Sequence, residues 1–268
     1  MNASGIPASP PPRLREAIAS PFTRAHAWDH AFFLLMVACL WVGILMGFVP
    51  EILRRAAEHR PPFPWIVHVH AVVFVGFMCL LTAQVLLVSA GKVGLHRKLG
   101  IAGACLWAVM IVLGLATAVT VHRAAFGTPQ SDPSFIAIQI LGMLTFAVVG
   151  GAALALRKTP AAHKRLMLLA VIFIADAGFA RWWADGLHRL LGTGPFPLAD
   201  GFWINWAELY LSNLLLVLAL GSYDLLTRRR LHPAFVWGAS FGLSMELVAV
   251  WLYGSAWWKP VATALIGY

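Results

Sequence analysis

Histidines and carboxylates within or beside long apolar segments are the residues of this 268-residue sequence that could carry chemistry. Imidazole nitrogens bind haem iron, copper or zinc, and carboxylates complete a metal shell or carry protons. Ionisable side chains are costly within a bilayer, so each needs a partner, a water-filled cavity or a function. The candidates are His68, His70, His96, His122, His163, Asp176 and Glu208.

Polar side chains on five predicted helices share one depth, in the half of the membrane opposite the N-terminus. They are His68, His70, His122, Gln139, Asp176, Asn205 and Glu208. His68 and His70 point about 200° apart on a helix, which disfavours binding of one ion by both. His70, the deeper residue, is predicted to face the bundle. The convergence predicts a polar site in the outer half of the protein.

Three interpretations of this outer level stay open. His70 and His122 at similar heights could be the two axial ligands of a b-type haem. His68, His70, Asp176 and Glu208 could instead surround a transition-metal ion that activates water. In the third interpretation, an ion pair between Asp176 and Arg181 and hydrogen bonds from His to Glu208 tie helices together.

A weak internal repeat marks the inner side of the protein. GLHRKLG precedes the third predicted helix and TPAAHKRLMLL precedes the fifth, so His96 and His163 are each followed by two basic residues and Leu. The basic residues could bind phospholipid headgroups. Alternatively, the repeat is a duplicated helical hairpin whose two histidines ligate a cofactor at the inner face.

Another candidate lies deeper. Glu246, near the middle of the seventh predicted helix, is either a proton carrier or a neutral acid hydrogen-bonded to another helix.

Seven long apolar segments must position these residues. Hydrophobic residues make up 60% of the chain and charged residues 12%, and each segment approaches the roughly 20 residues that cross a bilayer. The predicted fold is an all-α, polytopic membrane protein with about seven transmembrane helices in one bundle. Their predicted bounds are His30 to Phe48, Trp65 to Val88, Leu99 to Val121, Phe135 to Leu156, Leu166 to Trp183, Phe202 to Tyr223 and Phe235 to Tyr253.

The distribution of charge predicts the orientation. Most of the 20 Lys and Arg residues lie on the side of the N-terminus, which predicts a cytoplasmic N-terminus and a periplasmic C-terminus. Residues 1–28, rich in proline, are predicted to be a partly disordered cytoplasmic segment, and residues 29–268 the transmembrane domain. The charged residues that give the chain its net charge of +9 lie mainly between the apolar segments. We therefore expect contact with the lipid bilayer and no binding of nucleic acid.

HVHAVVFVGFMCLLTAQVLLVSAGKVGLHRKLG, AAHKRLMLLA and YDLLTRRRLHPAFVWG together resemble a widespread family of bacterial inner-membrane proteins. The resemblance covers roughly residues 30 to 255 and implies a location in the bacterial inner membrane, but no activity. More loosely, the histidines at helix ends are similar to those of bis-histidine, quinone-linked b-type cytochromes.

Three classes of function follow from the sequence. The first is a redox or haem-binding protein with His70 and His122 as outer ligands, His96 and His163 as possible inner ligands, and quinone or another membrane complex as partner. The second is a metal-dependent membrane hydrolase that uses His68, His70, Asp176 and Glu208. The third is a non-catalytic subunit, an assembly factor or a small-solute carrier.

Overall fold

The computed structural model describes residue 22 and residues 25–129, 131–191 and 201–268. The predicted N-terminal segment, residues 1–28, therefore lies largely outside the described residues. Eight α-helices occupy the described chain: α1 (Asp29–Ala57), α2 (Trp65–Ser89), α3 (Val93–Ala125), α4 (Ile136–Ala155), α5 (Pro160–Leu191), α6 (Phe202–Arg228), α7 (Pro233–Tyr253) and α8 (Trp258–Leu265). A 3-10 turn, Pro133–Phe135, precedes α4.

The helices α1 to α7 are long and apolar enough to cross a membrane, which confirms the predicted all-α polytopic bundle. Large apolar side chains cover their outward faces; Val72, Val112 and Leu226 are each at least 70% exposed. In water such a surface would be unfavourable, whereas in lipid it contacts hydrocarbon. The exposed apolar faces are therefore the surface that the bilayer covers.

Contacts between helix ends show that α1 and α5 begin, and α6 ends, at the same end of the bundle. The start of α1 contacts the start of α5 and the end of α6 through Asp29, Lys164 and Arg228. We call this the proximal end of the bundle. The other end is the distal end, where the Arg181 guanidinium of α5 lies over the Phe48 ring of α1.

Helix α5 is the centre of the bundle and packs against α1, α4, α6 and α7. Its segment from Leu166 to Phe173 is buried almost without interruption, whereas α2 and α3 bury few of their residues. Close approach of α1 to α5 depends on glycine, because a Cβ at Gly178 would lie 2.9 Å from the Gly43 carbonyl oxygen and one at Gly47 would collide with the Gly178 backbone. Small residues allow such contacts between membrane helices.

The predicted end of α1 and the predicted starts of α3 and α5 were wrong. Helix α1 continues through Pro50 to Ala57, because a proline removes only one backbone hydrogen bond and near a helix end water can satisfy the freed carbonyl. Helices α3 and α5 begin nearly two turns before the predicted Leu99 and Leu166. Their first turns therefore contain the repeated histidine motifs.

Candidate functional site

Two histidines meet at the proximal end of the bundle. His96 lies in the first turns of α3 and His163 in the first turn of α5, and their ring centroids are 6.4 Å apart with an angle of 80° between the ring planes. Both side chains are half-buried. The structure thus brings together the two histidines of the internal repeat, although α3 and α5 are not adjacent along the chain.

Hydrogen bonds fix both histidines. The Nδ1 of His163 lies 2.8 Å from the Ala153 carbonyl oxygen at the end of α4, so Nδ1 carries the proton and donates, which leaves the Nε2 lone pair available. Gln84 at the end of α2 donates through Nε2 to the backbone carbonyl of His96 at 3.1 Å. A backbone carbonyl that accepts from one ring nitrogen is the usual way to orient a metal-binding imidazole.

Two further observations bear on whether the pair could share a metal ion. His96 Nδ1 is buried and has no hydrogen-bond partner in the part of the chain that the structure describes, so it is an available ligand atom. Two imidazole nitrogens that each lie about 2 Å from one metal place their ring centres about 6 Å apart when they bind from opposite sides. The observed separation agrees with that arrangement.

At the distal end, His70 and His68 differ in burial. His68 is exposed, and His70 is half-buried and stacks on Phe74 with ring centroids 3.9 Å apart. The Nδ1 of His70 is buried and has no hydrogen-bond partner among the described residues. His70 is therefore the histidine of this pair that faces the protein.

His122, the other predicted outer haem ligand, has its own partner. Its Nε2 donates to Gln139 Oε1 of α4 at 2.8 Å. This bond occupies the nitrogen that would bind iron and links the end of α3 to the start of α4. The structure thus gives His70 and His122 separate neighbours, Phe74 and Gln139, instead of a common centre.

Asp176 and Glu208, the predicted outer carboxylates, are both buried. Asp176 lies within electrostatic range of Tyr210 and Glu246, and Glu208 lies within electrostatic range of Tyr253. Within the described ranges, the side chains of His, Cys, Asp and Glu form no group of three or more that could hold a metal ion. His68, His70, Asp176 and Glu208 are therefore not assembled as one ligand set in this structure.

A buried ionic cluster at the proximal end was missed by the sequence analysis. Arg165 of α5 forms a doubly hydrogen-bonded ion pair with Asp224 of α6, and both side chains are at most 1% exposed. Asp29 accepts hydrogen bonds from Lys164 at 2.9 Å and from the Tyr223 hydroxyl at 2.7 Å. Arg165 therefore pairs within the protein, and the headgroup interpretation of the repeat is wrong for this residue.

His232 completes this end of the bundle. As the residue before α7, it accepts through Nδ1 from the Ala234 backbone N–H at 3.1 Å, and its own backbone N–H donates to Asp224. Burial lowers the pKa of His232, the positive charge of Arg165 lowers it further, and Asp224 opposes both effects. The imidazole is thus a neutral helix cap beside an ion pair.

No family model, curated protein or solved structure matches this chain. The helices themselves define the class: an all-α membrane protein with seven helices that can span the bilayer in the described chain.

Proposed function

We propose that the protein is a redox protein of the bacterial inner membrane that holds a b-type haem between His96 and His163. The observation that carries the proposal is the pair of imidazoles on the first turns of two helices, whose ring centroids are 6.4 Å apart. Outer ligation by His70 and His122 is not part of the proposal, because His122 Nε2 already donates to Gln139.

Each residue of the site has a distinct task in this function. His96 and His163 would hold the iron. The Ala153 carbonyl keeps His163 in the tautomer that offers Nε2, and Gln84 holds the backbone of His96 in place. The bound haem would supply one-electron transfer. Because the site lies at the proximal end of lipid-facing helices, a quinone dissolved in the bilayer is the partner that fits it.

The excess of Lys and Arg on the side of the N-terminus supports a cytoplasmic proximal end. Haem ligation would then occur near the cytoplasmic face. The C-terminus and α8 would lie on the periplasmic side.

The test is the visible spectrum of the protein purified in detergent after expression with added haem. We expect a Soret band that shifts on reduction with dithionite and is lost in His96→Ala and His163→Ala. His96→Gln and His163→Gln, which keep a polar side chain, should lose it too, and size-exclusion chromatography reports whether each variant is folded. His122→Ala is the matched control and should keep the band.

Metal analysis of the same samples separates haem from a bare ion. A colourless protein with stoichiometric copper, iron or zinc that depends on His96 and His163 would replace haem by a single metal ion on the same ligands. A preparation with neither haem nor metal would overturn the proposal. So would a Soret band that survives in folded His96→Gln and His163→Gln.

A further inference from the structure

A cavity of about 610 Å³ opens at the distal end of the bundle. It lies between the start of α6, the end of α7 and the segment before α4, and its polar lining includes Asp132, Asn205 and Tyr253. The Tyr253 hydroxyl donates to Asp132 at 2.9 Å. Asn205 contributes a buried Oδ1 without a hydrogen-bond partner among the described residues, so water in this cavity has a polar group to bind.

Polar side chains continue from this cavity into the bundle along one face of α6. Asn205, Glu208, Ser212 and Asn213 recur at helical spacing, and the last three are buried. Asn213 donates through Nδ2 to Glu246 Oε1 of α7 at 2.9 Å. The name polar column is used for Asn205, Glu208, Ser212, Asn213 and Glu246. The column runs from the distal cavity to the Glu246 carboxyl group near the middle of α7.

The column ends at a second, much smaller cavity, which has room for about one water molecule. Thr145 of α4, Tyr210 of α6 and Glu246 of α7 line it. Asp176 of α5 lies near enough to act electrostatically on both Tyr210 and Glu246. Helices α4 to α7 thus place titratable or hydroxyl groups around one carboxyl group.

Beyond this point, toward the proximal end, the interior is apolar. Val217 and Leu220 of α6 and Phe235 and Ala239 of α7 are all buried members of the main hydrophobic core. The polar column therefore meets the distal cavity at Asn205, whereas apolar side chains separate it from the proximal end.

If these side chains served only to pair helices, each of their oxygen atoms should have a hydrogen-bond partner on a neighbouring helix. Glu246 Oε2, Asn213 Oδ1 and Ser212 Oγ are all buried and lack a hydrogen-bond partner in the described chain. Buried polar atoms of this kind are normally satisfied by ordered water. Water bound to these atoms would lie beside a carboxyl group in the bilayer interior, as in a proton relay.

We infer that the polar column conducts protons between the distal cavity and Glu246, which accepts and releases them. Water molecules bridge Asn205, Glu208 and Ser212, and the proton moves along them to the Glu246 carboxylate, which becomes a neutral carboxylic acid hydrogen-bonded to Asn213. The reverse path returns the proton to the distal side. This inference does not depend on a cofactor at His96 and His163.

Infrared spectroscopy of the full chain in lipid nanodiscs tests the inference. A carbonyl-stretch band of a protonated carboxylic acid that disappears in Glu246→Gln belongs to Glu246. The shift of this band in D₂O reports exchange of the Glu246 proton. We expect rapid exchange in the wild type. Persistence of every such band in Glu246→Gln would overturn the assignment of the proton to Glu246.

The path itself is tested by blocking it. Ser212→Leu and Asn205→Leu should slow the exchange at Glu246 at least tenfold, and Ser222→Leu, the same change on the exposed face of α6, should leave it unchanged. Ser212→Leu adds volume in a buried position and could prevent folding. Asn205→Leu changes a half-buried residue at the distal cavity and keeps the test valid in that case. Equal exchange rates in Asn205→Leu and Ser222→Leu would refute the path.

Discussion

Arg165 and Asp224 form an ion pair at the proximal end in which Arg165 Nε lies 2.8 Å from Asp224 Oδ2 and Nη2 lies 2.5 Å from Oδ1. The Arg165 Nη1 also donates to the Ala161 carbonyl at 2.8 Å. Breaking a buried ion pair of this kind is strongly destabilising, because the remaining charge is left without a partner in a low-dielectric interior.

Removing one member of this pair should destabilise the protein severely. We expect Arg165→Leu or Asp224→Asn to lower the free energy of unfolding by about 3–5 kcal/mol, measured by SDS titration in detergent micelles. The double variant Arg165→Leu/Asp224→Leu should recover much of the loss, since it leaves no unpaired charge. The exposed pair Arg54 and Glu51 is the control, and Arg54→Gln should change stability by less than about 1 kcal/mol. Equal losses for the two pairs would contradict the argument.

The hydroxyl of Tyr223 should stabilise the proximal end through Asp29. Tyr223→Phe removes a hydrogen bond to a carboxylate and keeps the ring stacked on Phe32, so we expect a loss of about 1.5–3 kcal/mol in the same titration. Tyr268→Phe, at an exposed residue that also stacks on a phenylalanine, is the matched control and should be neutral. A neutral Tyr223→Phe would show that the hydrogen bond contributes nothing.

Glycine at the contact of α1 with α5 should be essential for packing. A methyl group at position 47 would collide with the backbone of Gly178, so Gly47→Ala should destabilise the bundle by at least about 1–3 kcal/mol as an overpacked contact. Gly76→Ala in α2 meets nothing within 4 Å and should be neutral or stabilising, since alanine favours helix by up to about 1 kcal/mol. Thermal unfolding of both variants in detergent decides the point; a stable Gly47→Ala would contradict this packing.

Stability should depend on pH through His232. The folded protein binds a proton at this residue less readily than the unfolded chain, because its pKa lies below the ordinary 6.5. Its contribution to stability is therefore complete above about pH 6.5 and is lost as the pH falls below that value. We expect the unfolding temperature of the wild type to fall more between pH 7.5 and 5.5 than that of His232→Asn, which keeps a capping acceptor. Identical pH profiles would exclude this role, and His59→Asn, at an exposed histidine, is the control.

Hydropathy was enough to predict the seven spanning helices, because each must be long and apolar to cross lipid. It placed the starts of α3 and α5 too late, since the first turns of both helices carry His and basic residues that lower the apolar average. Only the repeated motif linked His96 and His163 in the sequence. Neither hydropathy nor spacing specified the partners of their rings.

The depth of a residue follows from its position in a helix, but its direction around the bundle does not. The sequence placed Asp176 and Glu208 in the outer half of the bundle, and both are buried. Which residues lie beside them depends on which helices touch. Asp29 and Asp224 were overlooked as partners for Lys164 and Arg165. Both lie near helix ends, where charged residues are ordinarily assigned to the headgroup layer.

The first two turns of α5 also constrain the order in which contacts at the proximal end can form during synthesis. Lys164 contacts Asp29, which the ribosome has already made, whereas Arg165 must wait for Asp224 at the end of α6. Until then its guanidinium has to remain near water or headgroups, because a lone charge cannot settle in the hydrocarbon. Closure of the proximal end is therefore a late step of biogenesis, completed only after the sixth span has been synthesised.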